Sequence, residues 1–410
     1  MRILHTGDWH IGKLVHGLHM TEDQAFLLKQ FVSYVKVNIP DVIIIAGDLF
    51  DRTVPPVEAV TLLDDIFTEI VINEHIPIIA ISGNHDSSER LGFANNILRR
   101  QGLHISNDLS AIDVPVIIED KDGPVHFYLI PYADPAVAKV HFKDDSIKTH
   151  DDVYRVCMEK INNAISRAND SGDTTTNGIV TNSAQNNTDV SIRTVCITHG
   201  FITGAQTLET SESERPLSIG GTDAVDVHYF EDFNYVALGH LHRPQKVTHD
   251  HIRYAGSMLK YSFSEATQKK GMTLVEMDQA GAITHELVTF KPRRDMRVIT
   301  GMLEDLINKD HYSLSDTNDY ILAMLTDGGS LYEPMMALRS IYPNILRLER
   351  ADMSHLGSEA TSMSNRDFKL KDPFELFNEF YVAATEESVD EVAMGSLKGA
   401  IETVLKGEGI

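Results

Sequence analysis

Residues 1–10 read MRILHTGDWH, a β-rich run from Arg2 to Thr6 that empties into a polar, glycine-containing loop, Gly7-Asp8-Trp9-His10. The same construction recurs at residues 41–51, DVIIIAGDLFD, and at residues 77–86, PIIAISGNHD. Helix-period segments separate these runs, Thr21 to Asn38 and Pro56 to Asn73. In the second, Val57, Val60, Leu63, Phe67 and Ile70 recur at three- and four-residue steps, the apolar stripe of a helix laid against a sheet. Alternating strand and helix predicts an α/β fold with a covered sheet. Such folds gather their chemistry at the carboxyl ends of the strands, where these loops fall.

Further strand candidates lie at Val125 to Tyr132, Thr194 to Thr198, Tyr235 to Leu238, His251 to Ala255 and Gly271 to Met277, enough to complete a two-sheet sandwich. Residues 171–189, SGDTTTNGIVTNSAQNNTD, have little to bury and are expected to be a mobile surface insertion. After Lys291-Pro292-Arg293-Arg294 the pattern becomes strand (Met296 to Thr300), helix (from Leu303), strand (Tyr320 to Leu325), helix (Pro334 to Ile341) and strand (Ile345 to Leu348). That predicts a small α+β cap domain over residues 295–365. Residues 372–410 are acidic and helix-period, with Phe374, Phe377, Phe380 and Tyr381 available to the cap or to a partner's groove.

A chain of 410 residues has room for one large domain and one or two smaller ones. No apolar run approaches the ~18 residues of a membrane helix, and the N-terminus lacks the parts of a secretory signal. No membrane association and a cytoplasmic location are the expectation. Cys157 and Cys196 lie in apolar segments with no partner at metal-finger spacing and read as buried thiols. Acidic residues outnumber basic ones 60 to 36, a formal charge of −24 that argues against a large sequence-independent DNA-binding surface on this chain alone.

Five short motifs occur in order: Asp8-x-His10, Gly47-Asp48, Gly83-Asn84-His85-Asp86, His199-Gly200 and Gly239-His240-Leu241-His242. Singly each is weak, since a Gly-Asp after a strand is usually a turn. Jointly they offer carboxylate, amide oxygen and imidazole, a set suited to Mn²⁺ or a similar cation. In Asp8-x-His10 and His240-x-His242, residues two apart on an extended segment point the same way and can reach one metal cluster. The glycines beside Asp48, Asn84, His199 and His240 permit tight bends that turn those side chains inward. His5, His16, His19, His228 and Trp9 have no motif support, and His5 is expected to be packed in a strand. Arg243, Lys260, Arg293 and Arg294 are expected to be ordinary solvated charges.

In this order the motifs resemble those of the calcineurin-like metallophosphoesterases over about residues 1 to 260. More narrowly, LHTGDWHIG, AGDLFD, SGNHDS, ERPLSIGGTDAVD (Glu214 to Asp226), VALGHLHRPQ, GSMLKYSFSE and DPFELF look like the bacterial SbcD nuclease-subunit family, relatives of the archaeal and eukaryotic break-repair nuclease. The resemblance implies a four-layer α-β-β-α sandwich over residues 1–290, with a small α+β cap domain and C-terminal helices. It implies two divalent metal ions, Mn²⁺ before Mg²⁺: Asp8, His10, Asp48 and His242 would hold one, and Asp48, Asn84, His199 and His240 the other, with Asp48 bridging. Such pairs sit about 3.5 to 4 Å apart, clamp both reacting oxygens and make hydroxide available near neutral pH. His85 is left to contact the phosphate and act as general acid. Asp51 is a candidate to orient His85 through its carboxylate, as related phosphatases arrange it, or else a turn residue.

The implied activity is cleavage of DNA at double-strand ends and hairpins, as a 3'-5' exonuclease and an endonuclease, in repair, recombination and replication. The implied partners are an SbcC-type coiled-coil ATPase and a second copy of the chain, a homodimer within a heterotetramer. A phosphomonoesterase or nucleotide phosphatase would use the same metal site, because fold and ligands alone do not choose among phosphate esters. A DNA-end-binding scaffold with a dead site is disfavoured by the complete ligand set.

Overall fold

The apolar runs fold as their patterning predicts. In the computed structural model, which describes residues 1–171, 173–176, 179–182, 192–217, 223–313 and 315–351, they become β1 (Arg2–Thr6), β2 (Val42–Ile45) and β3 (Ile78–Ile81), followed by β4 (Leu103–Ser106). Downstream come β5 (Val116–Asp120), β6 (Gly123–Ile130), β7 (Arg193–His199), β8 (Tyr235–Gly239), β9 (Gln245–Val247), β10 (His249–Tyr254), β11 (Met272–Met277) and β12 (Ile283–Val288). They form two six-stranded sheets, ordered β12-β11-β1-β2-β3-β4 and β9-β10-β8-β7-β6-β5. β1 to β4 pair in parallel, as do β6, β7, β8 and β10.

The runs of β2 and β3 are continuously apolar because these central strands are covered on both faces. Ile3, Val42, Ile44, Ile79 and Ile81 point to the second sheet and meet Phe127, Leu129, Val195, Ile197 and Tyr235. Their neighbours Leu4, Ile43, Ile45, Ile78 and Ala80 point the other way, to α1 (Thr21–Asn38) and α2 (Val57–Phe67). The outer face of the second sheet takes Val153, Cys157 and Ile161 of α3 (His150–Ser171) against Cys196, Val236 and Leu238. Helix, sheet, sheet, helix is the expected four-layer sandwich. Both cysteines are buried and free, and His5 is packed in β1 with Nδ1 2.8 Å from the Tyr235 hydroxyl. Burial pulls His5 down to about 3, so it is a neutral core residue.

Two expectations need correction. The stripe on α2 is rotated: Ala59, Leu63, Ile66 and Phe67 face the core, while Val57 (76% exposed) and Val60 (46%) face out. The helix expected over residues 56–73 changes at Thr68 into a π turn, Thr68–Asn73. Within the expected mobile insertion, residues 173–176 and 179–182 pair as an antiparallel ribbon. The remainder of 171–189 beyond α3, residues 352–365 of the expected cap and the 372–410 segment lie outside the described residues.

The cap pattern forms β13 (Met296–Gly301), β14 (Tyr320–Leu325) and β15 (Ile345–Arg350), a parallel three-stranded sheet with the helix α4 (Pro334–Arg339) in the second crossover. Ile299, Ile321, Ala323 and Leu325 pack with Leu306, Leu338 and Tyr342 in a core of their own. Met296, Tyr320 and Leu322 join the core around α1. The cap sheet therefore belongs to the same compact unit as the sandwich, Met1–Ala351. Among the described residues no helix is long and apolar enough to cross a membrane.

Candidate metal centre

Five central strands, β1, β2 and β3 of one sheet and β7 and β8 of the other, present their carboxyl ends at one edge, and all five motifs lie there. The loops are locked to one another through the backbone: Asp8 N–H donates to Gly47 O (3.1 Å) and His10 N–H to Asp48 O (2.9 Å). Asp8, His10, Asp48, His199, His240 and His242 are buried.

Four of these side chains sit on strained backbone. Asp8 (φ 51°), His10 (φ 46°), Asp48 (φ 51°) and His240 (φ 112°) all take positive φ, at about 1–3 kcal/mol each. A core whose buried Val, Ile or Phe side chains contribute about 1.5–3 kcal/mol apiece offsets that strain. The neighbouring glycines act differently from expectation. Only Gly47 (φ 90°) uses left-handed freedom. Gly83 and Gly239 supply room, because a Cβ there would collide with the Asp48 carboxylate and with Ala46 O respectively.

Asp48 lies between two imidazoles, its Oδ2 3.6 Å from His10 Nε2 and 3.5 Å from His199 Nε2. Its Oδ1 accepts from the His85 N–H (2.9 Å). Asp8 Oδ1 accepts from the His240 N–H (2.9 Å), while Asp8 Oδ2 and His10 Nδ1 are buried without a hydrogen-bond partner. Burial, reinforced by the Asp48 charge, raises the Asp8 carboxyl well above its usual range. Burial lowers the imidazoles of His10, His199, His240 and His242, so each is neutral and keeps a lone pair.

The protons can be placed. His199 Nδ1 is 2.9 Å from Ala46 O, which only accepts, so Nδ1 carries the hydrogen and Nε2 presents its lone pair. Asn84 Oδ1, another acceptor, faces that nitrogen at 2.9 Å. Two acceptors at that distance repel unless a cation lies between them or the amide turns its NH₂ inward. At the other end His10 Nε2 and His242 Nε2 meet at 3.0 Å. Ser213 spends its hydroxyl proton on Glu265, so His242 Nδ1 donates to Ser213 Oγ (2.6 Å) and its Nε2 is a lone pair. Facing acceptors at His199 and Asn84, a lone pair on His242, an orphaned carboxylate oxygen and neutral imidazoles are the chemistry of a divalent-cation site, and these residues fit one. Within ligating distance of one another lie Asp8, His10 and His242, separately Asp8, Asp48 and His199, and, in a third group, His10, Asp51 and His85. Asp8 and His10 each enter two of the three groups, while His240 enters none; its ring lies 5.5 Å from that of His199.

Residues 1–244 match the calcineurin-like phosphoesterase family, and residues 292–385 match a family described as the type 5 capsule protein repressor C-terminal domain. A curated relative, the SbcD subunit of the SbcCD nuclease of Staphylococcus epidermidis, is 34% identical over 409 residues, covering 100% of each chain. The chain belongs to the SbcD family of calcineurin-like phosphoesterases. Two solved structures are also similar at 12% identity, each over 70% of this chain. They are GAP50, the anchor in the inner membrane complex of Plasmodium (84% of that chain, TM-score 0.39), and TT1561 of Thermus thermophilus (98%, TM-score 0.37). Likeness at that level bears on neither fold nor function.

SbcD membership makes the protein a metal-dependent hydrolase of phosphate esters. Around the SbcD-type centre the structure adds residues that the motifs left without roles. The Asp86 carboxylate accepts from the N–H groups of Leu49 (3.1 Å), Phe50 (3.0 Å) and Gly83 (3.0 Å), tying the Asp48 loop to the Asn84 loop. Burial and the Asp48 charge push it up to about 7, against those three donors. Glu214 Oε1 accepts from His242 N–H (2.7 Å), and Lys270 pairs with Glu265 (2.6 Å) beneath the same imidazole. Burial acts to raise Glu265, but its bonds to His242 and Lys270 hold it well below the carboxylate range. Asp86 ends the Gly-Asn-His-Asp motif, and Glu214 and Glu265 lie in segments that resemble the SbcD family, so the sequence marks their positions but not their contacts.

The expected Asp51 carboxylate contact to His85 is absent. His85 Nδ1 donates to the Asp51 backbone carbonyl (2.8 Å), and the carboxylate pairs with Lys13 Nζ (2.8 Å). Arg243, Lys260, Arg293 and Arg294 are ion-paired, with Glu209, Asp295, Glu22 and Asp23 respectively.

Proposed function

We propose that the chain is the nuclease subunit of an SbcCD-type complex, cleaving DNA phosphodiesters at double-strand ends and hairpins, as a 3'-5' exonuclease and an endonuclease. Asp8, His10, Asp48 and His242 would hold one divalent cation and Asp48, Asn84, His199 and His240 the other, with Mn²⁺ favoured and Mg²⁺ second. The observation that carries this reading is the Asp48 carboxylate between His10 and His199, at 3.6 and 3.5 Å from two neutral imidazoles. Bound there, paired cations supply Lewis acidity to the phosphate and to water. Asp8 and Asp48 balance the cations' charge. His85 is half-buried beside His10, ring centroids 4.7 Å apart. With Nδ1 bound to the Asp51 carbonyl, its Nε2 is the nitrogen left to contact the phosphate and, when protonated, to protonate the leaving oxygen.

The partner assignment rests on charge. With a formal charge of −24 and with Arg243, Lys260, Arg293 and Arg294 ion-paired, the chain has little to offer a duplex backbone, so most phosphate contacts fall to the SbcC-type ATPase. Residues 372–410 are proposed as the segment that meets it, on sequence alone. A homodimer is supported by the exposed Val54, Val57, Val60, Phe93 and Ile97, on the connections that follow adjacent strands β2 and β3. The test gives the purified protein Mn²⁺ and compares duplex ends, hairpin DNA and a small phosphate ester, with and without the ATPase and ATP. DNA cleavage enhanced by the partner is expected; brisk ester turnover with no DNA cleavage in any arm would make the protein a phosphomonoesterase.

A further inference from the structure

Two adjacent residues of α1 reach in opposite directions, and we propose that one of them, Gln24, is a positioning residue that clamps the Asp8–His10 loop in its metal-binding conformation, while Asp23 ties the clamp to the cap sheet. The inference rests on the proposed metal-binding role of that loop.

Gln24 is buried, and its whole amide is spent on the loop. Oε1 accepts from Gly12 N–H (3.0 Å). Nε2 has His10 O at 2.8 Å, the Tyr261 hydroxyl at 3.0 Å and Trp9 O at 3.2 Å. Two protons cannot fully serve three acceptors. Tyr261 O–H already donates to Trp9 O (2.5 Å), so the amide protons go to His10 O and the Tyr261 oxygen. One amide and one phenol thus engage the backbone of residues 9, 10 and 12, on both sides of His10. The Tyr261 ring also packs edge-on against His10 and His242, centroids 5.7 and 5.9 Å away.

A clamp is needed because Asp8 and His10 are non-glycine residues at positive φ, a conformation that persists only where the surroundings over-determine it. Metal ligation in the bound state would supply part of that constraint. Before the metal arrives, the backbone bonds to the Asp48 loop and the Gln24–Tyr261 pair supply it.

Asp23, the preceding residue, is buried and turned to the cap. Its Oδ2 accepts from the hydroxyl of Tyr320 (2.9 Å), the first residue of β14, and lies 3.5 Å from Arg294. A connection from metal loop to cap sheet therefore runs through Gln24 and Asp23 on a single turn of α1.

The test is calorimetric titration of Mn²⁺ into the metal-stripped full chain, run well below the melting temperature of each variant. Gln24→Glu keeps the acceptor for Gly12 and loses the donors; Gln24→Met keeps the shape and loses both. Each is expected to weaken Mn²⁺ at one of the two sites by about tenfold, the low end of what an outer-shell change removes. A merely structural glutamine would lower the melting temperature and leave affinity untouched, so a folded variant binding within about twofold of the unaltered chain overturns the clamp. Should neither variant fold, Tyr261→Phe reads the clamp's other jaw: severalfold weaker Mn²⁺ binding supports it and unchanged binding overturns it. Tyr320→Phe is expected to weaken Mn²⁺ binding by about threefold to fivefold, and a shift within about twofold removes the cap tie. An unaltered chain that binds no Mn²⁺ takes down the metal reading and the clamp together, whereas equal binding by unaltered chain and folded variants takes down the clamp alone.

Discussion

The parallel strands of the sandwich and those of the cap present their carboxyl ends in opposite ways. At the sandwich edge, the loops after β1, β2, β3, β7 and β8 gather buried carboxylates and imidazoles, and those after β1, β2 and β8 hold Asp8, His10, Asp48 and His240 at positive φ. At the cap edge, β13 runs into Met302, which begins a short helix whose Leu303 N–H is accepted by Asp327 (2.8 Å), and β15 ends at Arg350, whose guanidinium donates to Gly329 O. These cap-edge contacts satisfy loop and helix-terminus groups with matched donors and acceptors. Parallel topology supplies a place where loops converge; a site also needs buried acceptors that those loops do not satisfy among themselves.

The sharpest way to break that contrast is Asp48→Ala. It should remove high-affinity Mn²⁺ binding in calorimetry and lower cleavage more than about a hundredfold, beyond the cost of an outer-shell change. The metal-free melting temperature should not fall, because one of two adjacent buried carboxylates is gone. A marked fall would mean that Asp48 holds the fold instead of a cation. His85→Ala should lower kcat by roughly 10²–10⁴-fold with both Mn²⁺ sites intact; loss of metal would move His85 from acid to ligand.

On the cap edge, Asp327→Ala should cost about 1 kcal/mol in chemical denaturation, the loss of a helix-terminus acceptor. Mn²⁺ affinity should be unchanged, and a coupled loss of affinity would erase the distinction between the two edges. The smallest effect is expected for Asp51→Asn. Its backbone carbonyl still holds His85 and the Asn amide oxygen can still accept from Lys13, so what is lost is the carboxylate's charge beside Lys13 (2.8 Å), His10 Nδ1 (3.8 Å) and Arg52 (4.0 Å). Activity should stay within about twofold, and a large drop measured at saturating Mn²⁺ would give the carboxylate a catalytic part.

Much of the architecture was legible in the residues. The runs VIII and IIAI, buried on both faces, had to be central strands, and the cap strands fell within a few residues of their predicted limits. The α2 face was misread because Val57 and Val60 fit the helical period yet face out; periodicity says which residues share a face, and it is silent on whether a chain covers that face.

For the site, the motifs brought Asp8, His10, Asp48, Asn84, His85, His199, His240 and His242 into view, since side-chain type and spacing limit ligand chemistry, and the family resemblance set His85 apart from the candidate ligands. The sequence by itself determined the donor set and the edge at which it gathers. Only the tertiary structure decided the rest: that Asp8, His10, Asp48 and His240 bear the backbone strain, that Asp51 meets His85 through its carbonyl, and that Gln24, Asp86 and Glu265 stand behind the loops. Those contacts join residues far apart in the chain, and the hydrogen bonds that fix proton positions depend on distances of a few tenths of an ångström that no local pattern encodes.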